Sequence, residues 1–312
     1  MDKRKIKSLK RAIRRPFEWL GIGLGIFVFS FMPRKLMLCV CDIISAVMYR
    51  FDDKGRRRSL ANLRVVQGLI KSNGIVLLEK VYNPTEREEL IIRRSYRNMA
   101  RTVGHAFWTC RNAIERVKKS GEMSETGKRF LAKNKPAVTV SGHIGCWEIL
   151  SQLAFLEGHQ MMSVAKDIGT GGMTKLLMKA RTSIGQEIVH ANGAFRPLMQ
   201  GLKSGKSLGL LVDQVVDLKD GGIWVKFFGV PIPVSAAPAF FSAKGKAPIV
   251  VAWSRPLKDG RYRCEIVNTY MADEARDIRS MTQRCILDLE RVIRRHPSAW
   301  VLNYNLFRNL PE

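Results

Sequence analysis

The sequence predicts an α/β fold, a mostly parallel sheet flanked by helices, preceded by N-terminal membrane-associated helices. Three observations carry that expectation. From residue 136 onward, short β-rich runs alternate with stretches of helical period, the pattern of parallel strands joined by crossover helices. The first fifty residues join a block of cations to two apolar runs. Hydrophobic residues make up 46% of 312 positions, enough for a large core.

The amino-terminal block MDKRKIKSLKRAIRR leads into the uncharged run WLGIGLGIFVFSFMP, Trp19 to Pro33. That run is 15 residues, short of the roughly 17–25 that span a bilayer. It lacks the small-residue cleavage site of a signal peptide, and a second apolar stretch, LMLCVCDIISAVMY, follows at once. The pattern predicts two apolar helices broken near Pro33, either anchored in a membrane or lying in its surface. The cations then face anionic lipid on the cytoplasmic side, with Phe17 and Trp19 at the interface. Two buried helices of a soluble protein are the alternative, and they leave the cations unexplained.

This organisation divides the chain into a basic, apolar anchor (1–50), a helical region (51–135) and an α/β domain (136–312). In the helical region, NPTEREELIIRRSYRNMARTVGHAFW has a helix start at Asn83 to Thr85 and acids in the first turn. A basic connector runs from about Arg116 to Lys135. Strands are expected at Ala137–Val140, MMSVAK, QEIVHA, SLGLLVDQ and APIVVAWS. Helices are expected at WEILSQLAFLEGH, TKLLMKARTSIG, RPLMQGLKSG, Ala236–Lys244 and Asp273–Arg295.

Charge narrows the partners. Fifty-three Lys and Arg against 27 Asp and Glu give a net charge of +26, which favours a polyanionic partner: nucleic acid, an anionic membrane or an acidic protein. No helix-turn-helix, zinc or ribonucleoprotein-type motif supports nucleic acid. Six cysteines without a C-x-x-C pair or a histidine cluster read as buried thiols in a reducing compartment, not a disulfide framework or a zinc site.

The stretch SGHIGCWEIL, residues 141–150, raises the chemical question. His143 follows the first strand of the α/β domain, where reactive groups of open sheets collect. Glu148 starts the next helix, within reach of the imidazole. A carboxylate on one ring nitrogen fixes the tautomer and leaves the other nitrogen as a base. By spacing alone the pair is ambiguous, because a glutamate at a helix start also suits the helix dipole. No G-x-S-x-G elbow supplies a nucleophile, so the attacking group would be a substrate hydroxyl.

HIGCWEIL resembles the H-x-x-x-x-E motif of the bacterial lipid A acyltransferases, a branch of the lysophospholipid acyltransferase superfamily. The likeness extends over most of the chain: the basic apolar amino terminus, RRRSLANLR, LKSGKSLGLLVDQ, VKFFGVPIPVSAAPAFFSAKGKAPIVVA and the closing HPSAWVLNYNLFR. It implies a glycerolipid acyltransferase-like domain. The reaction would be transfer of an acyl chain, from an acyl carrier protein or coenzyme A thioester, to a hydroxyl of a lipid A precursor, another glycolipid or a lysophospholipid.

On that resemblance His143 is the general base and Glu148 orients it. Arg181, Asp213, Gln214, Phe228 and Gly229 contact substrate. Each has a plainer reading: Asp213 as a turn-starting acid, Arg181 as a solvated helix-end cation, Phe227–Gly229 as ordinary core. Proton chemistry by His and Glu requires no metal or other cofactor. The implied partners are anionic membrane lipid, an acyl carrier protein and the acceptor lipid, not nucleic acid. The implied location is the cytoplasmic face of the bacterial inner membrane.

Two positions depart from the family pattern. Cys146 stands where the family usually has Asn, and His190–Asn192 replace a usual cation, whose phosphate-gripping part Arg196 could take. Two competing functions stay in play: a non-catalytic basic protein binding membrane or nucleic acid, and a lipid hydrolase in which water replaces the acceptor hydroxyl.

Overall fold

The computed structural model describes residues 21, 23–69, 82–165, 178 and 182–307. Residues 23–31 are helical, the chain breaks at Met32–Pro33, and α1 (Arg34–Phe51) follows. Proline cannot continue the preceding helix but serves well just before a new one, hence the break at the expected place. Helix α1 buries Met37, Cys41, Ser45 and Tyr49, one residue per turn. Its outer side leaves Leu36, Ile43, Val47 and Phe51 exposed, and the preceding helical stretch exposes Leu24, Phe27 and Phe31. Among the described residues no helix is long and apolar enough to cross a membrane.

Helix α2 (Asp53–Val66) starts on the Asp52 side chain, which accepts from the Gly55 amide. Within it Asn62 donates to the Leu302 and Tyr304 carbonyls at 2.7 and 2.8 Å, tying the arginine-rich segment to the end of the chain. Helix α3 (Glu86–Trp108) opens with a reciprocal Thr85–Glu88 capping box, at the start the sequence marked. Next come α4 (Ala113–Ser120) and α5 (Glu125–Lys133).

The sheet has seven strands in the order β1-β9-β8-β2-β5-β3-β4. Five form its parallel part: β2 (Val138–Ser141), β3 (Met161–Ala165), β4 (Glu187–His190), β5 (Ser207–Leu211) and β8 (Ile249–Pro256). These are the five strands expected from the sequence. Helices α6 (Trp147–Leu156), α7 (Phe195–Lys203), α8 (Ala237–Gly245) and α9 (Ile278–Arg295) occupy the intervening and final stretches. The expected helix TKLLMKARTSIG lies outside the described residues except for Met178 and its last residues.

The remaining strands were not legible. Strand β9 (Tyr262–Tyr270) runs antiparallel to β8, and β1 (Gly121–Met123) joins the edge parallel to β9. A three-residue strand has too little pattern to stand out from the basic connector around it. The segment VKFFGVPIPVS folds as a separate hairpin of β6 (Gly222–Phe227) and β7 (Val230–Ser235). Its two turn residues, Phe228 and Gly229, both have positive φ, 53° and 81°, as a two-residue type I′ connection requires.

Both sheet faces are covered. Along β8, Ile249 and Val251 pack with Val138, Val140, Leu208 and helix residues such as Leu63 and Leu289, while Val250 and Ala252 pack with Ile149, Leu153 and Tyr262. Side chains on a strand alternate between faces, and a sheet buried on both reads as a continuous apolar run. From β2 the chain crosses to β3 on one side; from β5 it proceeds to β8 on the other. The carboxyl ends of β2 and β5 therefore flank a topological switch point, where open α/β sheets place their ligands.

Candidate active site

Strand register sets the site. Ser141 pairs with Leu211, and the Val212 amide donates to the Ser141 carbonyl. Two residues beyond that pair, His143 and Asp213 meet although 70 residues separate them in the chain. His143 Nδ1 lies 2.8 Å from Asp213 Oδ1, and the His143 amide donates to Asp213 Oδ2 at 2.7 Å. Trp300 Nε1 donates to the same Oδ2 at 2.9 Å. The carboxylate is fully buried, and the imidazole is 12% exposed.

The acid on Nδ1 is Asp213, where the sequence suggested Glu148 as the orienting carboxylate. Glu148 is in the first turn of α6, and its Oε1 accepts from Trp147 Nε1 at 3.1 Å. A side chain on the next helix has to fold back over the turn to reach Nδ1; one on the neighbouring parallel strand is already opposite it. Burial works to raise the Asp213 pKa. The facing His143 and hydrogen bonds from His143 and Trp300 outweigh it, holding the acid below the usual aspartate range. Asp213 therefore serves as an ionised acceptor, which orders Nδ1 as the protonated nitrogen and leaves Nε2 as the basic one. Among the described residues none hydrogen-bonds Nε2.

The loop after β2 permits this close approach. At Gly142 an added Cβ would come 2.9 Å from Asp213 Oδ2. Gly145 has φ +62°, and a Cβ there would run into the Ser254 carbonyl oxygen. The Gly145 carbonyl accepts from Asn98 Nδ2 at 2.9 Å and Thr102 Oγ1 at 3.1 Å, and its amide donates to the Ala299 carbonyl. The Val301 amide donates to the His143 carbonyl. Helix α3 and the terminal segment thus clamp the loop from two sides.

Aromatic rings frame the imidazole: Trp147 and Tyr304 lie edge-on at centroid distances of 4.9 and 5.0 Å. Phe228 does not line this opening. It is buried, stacked on Phe227 at 4.5 Å and packed against Trp300, with the Arg294 guanidinium over its ring. This is the core position that was the plainer of its two sequence readings. Gly229 forms the hairpin tip. Gln214 follows Asp213, half-buried, and Arg181 lies outside the described residues. Among the described residues no group of His, Cys, Asp and Glu is arranged to hold a metal.

Trp300, Tyr304, Asn98 and Thr102 were not singled out as site residues. The first two stand in the quoted HPSAWVLNYNLFR, so the signal was present without a role. Asn98 and Thr102 stand four apart on one face of α3, a spacing that a packing contact produces equally well.

A buried carboxylate thus fixes an imidazole at the switch point of the α/β sheet, where open sheets place their ligands. Which chemistry follows is given by family. The chain belongs to the bacterial lipid A biosynthesis acyltransferase family, whose profile matches residues 3–309, and its activity is accordingly acyl transfer. No curated protein matches the chain.

Proposed function

We propose that the protein transfers a fatty acyl chain from an acyl thioester to a hydroxyl of a lipid A precursor or related lipid at the inner membrane. The observation that carries this reading is the Asp213–His143 hydrogen bond, which leaves Nε2 available beside a partly open edge of the sheet. His143 Nε2 takes the proton as the acceptor oxygen bonds to the thioester carbonyl carbon. Asp213 stabilises the imidazolium while the carbonyl oxygen carries the negative charge of the tetrahedral intermediate. The intermediate collapses, the C–S bond breaks, and the imidazolium returns its proton to the departing sulfur. Glu148, in the first turn of the adjacent helix, supplies a second carboxylate.

Two features support a membrane setting. The apolar face from Leu24 to Phe51 is exposed, and the cationic block precedes it, as expected of an interfacial anchor on anionic lipid. The net charge of +26 also suits an acidic acyl carrier protein as donor. Expression of the wild type and His143→Ala in a bacterial host, with membrane lipids compared by mass spectrometry, tests the reaction. A new acylated lipid from the wild type alone is expected. The same lipid from His143→Ala would overturn the assignment of the base, and free fatty acid without acylated lipid would replace transfer by hydrolysis.

A further inference from the structure

Away from the His143 site, a cavity of about 370 Å³ opens at the break between the first helical stretch and α1. Its walls include Phe31, Pro33, Arg34, Trp108, Arg116 and Lys119. The volume is at the lower end of the range for small-molecule sites. Asn98 of α3 touches the His143 loop; Trp108 stands at the far end of the same helix, ten residues and about 15 Å of rise away. No side chain bridges that span, so the cavity is separate from the reacting groups.

Two of its cations, Arg34 and Arg116, are held in place by backbone carbonyls. Arg34 Nη2 donates to the Gly260 carbonyl at 2.6 Å, and Arg116 Nη1 donates to the Trp108 carbonyl at 2.6 Å with its guanidinium over the Trp108 ring. Among the described residues neither forms an ion pair with a carboxylate. Burial pushes both pKa values down; at Arg116 the neighbouring Arg111 adds to the effect, and at Arg34 Tyr262 and Asp259 oppose it. Glu115 is the acid on the wall, and it reaches Lys119 at 4.0 Å. Phe31 belongs both to the cavity and to the exposed apolar face, so a chain leaving the cavity passes directly onto that face.

We infer that this cavity binds the headgroup phosphate of an anionic phospholipid, with the lipid's acyl chains lying along the apolar face of the first helices. The inference rests on the membrane setting proposed above but not on acyl transfer. Arginines held by carbonyls and a ring keep further N–H donors for phosphate oxygens. The apolar face explains why the occupant is a lipid and not free phosphate. Bound there, a phospholipid would seat the hinge at Pro33 in the interface.

The test is calorimetric titration of the full chain in detergent with dioctanoyl phosphatidylglycerol, dioctanoyl phosphatidylcholine and inorganic phosphate. Loss of charge in Arg34→Gln with Arg116→Gln should weaken phosphatidylglycerol binding by about tenfold or more. Lys119→Glu, on an exposed side chain that folding does not need, should weaken it too. Arg129→Gln with Lys133→Gln, on exposed cations of α5, should leave it unchanged, as should His143→Ala. Equal weakening by the α5 pair, equal affinity for phosphatidylcholine, or displacement by phosphate alone would each overturn the site. Acylation assayed on the same proteins separates the two readings. Transfer by His143→Ala sinks the proposed reaction and spares the lipid site; full phosphatidylglycerol affinity in the Arg34/Arg116 variant does the reverse.

Discussion

Asp213 grips His143 at two points, Nδ1 of the ring and the backbone amide, with one carboxylate oxygen for each. Ring and loop are therefore positioned by a single buried charge. The first prediction compares the two acids. Asp213→Asn keeps the shape but supplies an amide where Nδ1–H needs an acceptor, so kcat should fall by about 10²–10⁴. Glu148→Gln leaves the Asp213 contact intact and should cost less. Kinetics of both variants on one donor and acceptor pair check the order; a larger loss for Glu148→Gln would return the orienting role to that residue.

Trp300 offers a milder probe of the same carboxylate. Trp300→Phe keeps an aromatic ring against Phe227 and Phe228 but removes the Nε1 donor to Asp213 Oδ2. Loss of a hydrogen bond to a buried charge should cost about 1.5–3 kcal/mol of stability, and kcat should fall while KM for the thioester holds. Denaturant titration together with steady-state kinetics measures both. A variant with unchanged kcat would show that the indole serves packing alone.

How much of this was legible follows from what each signal depends on. The five parallel strands and the break at Pro33 showed because apolar runs and proline act locally. His143 showed because its small-residue turn sits next to its strand. Asp213 stood out as an acid at a strand end and, through the family resemblance, as a substrate contact; its use as the partner of His143 depends on β2 and β5 being neighbours in register, which no local pattern encodes. Glu148 was ambiguous by spacing and was favoured through the H-x-x-x-x-E motif that HIGCWEIL resembles. Phe228 looked like a substrate wall because FFG is apolar and glycine-bounded. Its burial against Trp300 comes from a hairpin turn and a carboxy-terminal segment that meet only in the fold.

Gly145 is predicted to be intolerant of any side chain. Its φ of +62° is strained for other residues, and a Cβ would collide with the Ser254 carbonyl of β8. Backbone on backbone leaves nothing flexible to give way. Gly145→Ala should therefore destabilise the protein by about 3–5 kcal/mol and displace His143 with it. Thermal unfolding reads the first effect. A variant with wild-type stability would mean that the loop can move off β8 without penalty.

His105 gives a pH signature that does not involve the reaction. It is buried on α3 and donates Nε2–H to Gln152 Oε1 at 2.9 Å. Burial lowers its pKa to about 4, against smaller opposing effects from Gln152 and Glu148. In the unfolded chain the same group titrates near 6.5. Above that value both states are neutral and the pH has no leverage here. As the pH falls from there towards 4 the unfolded state takes up the proton first, so stability is lost progressively, to a total of about 3 kcal/mol. His105→Gln retains a donor for Gln152 and has no proton to gain. Its unfolding free energy should then fall less than that of the wild type between pH 7 and pH 5, with the shared remainder coming in part from His159 and His296, whose pKa values burial also lowers. Parallel denaturant titrations at the two pH values decide it: identical slopes for the two proteins would show that His105 is not the group being charged.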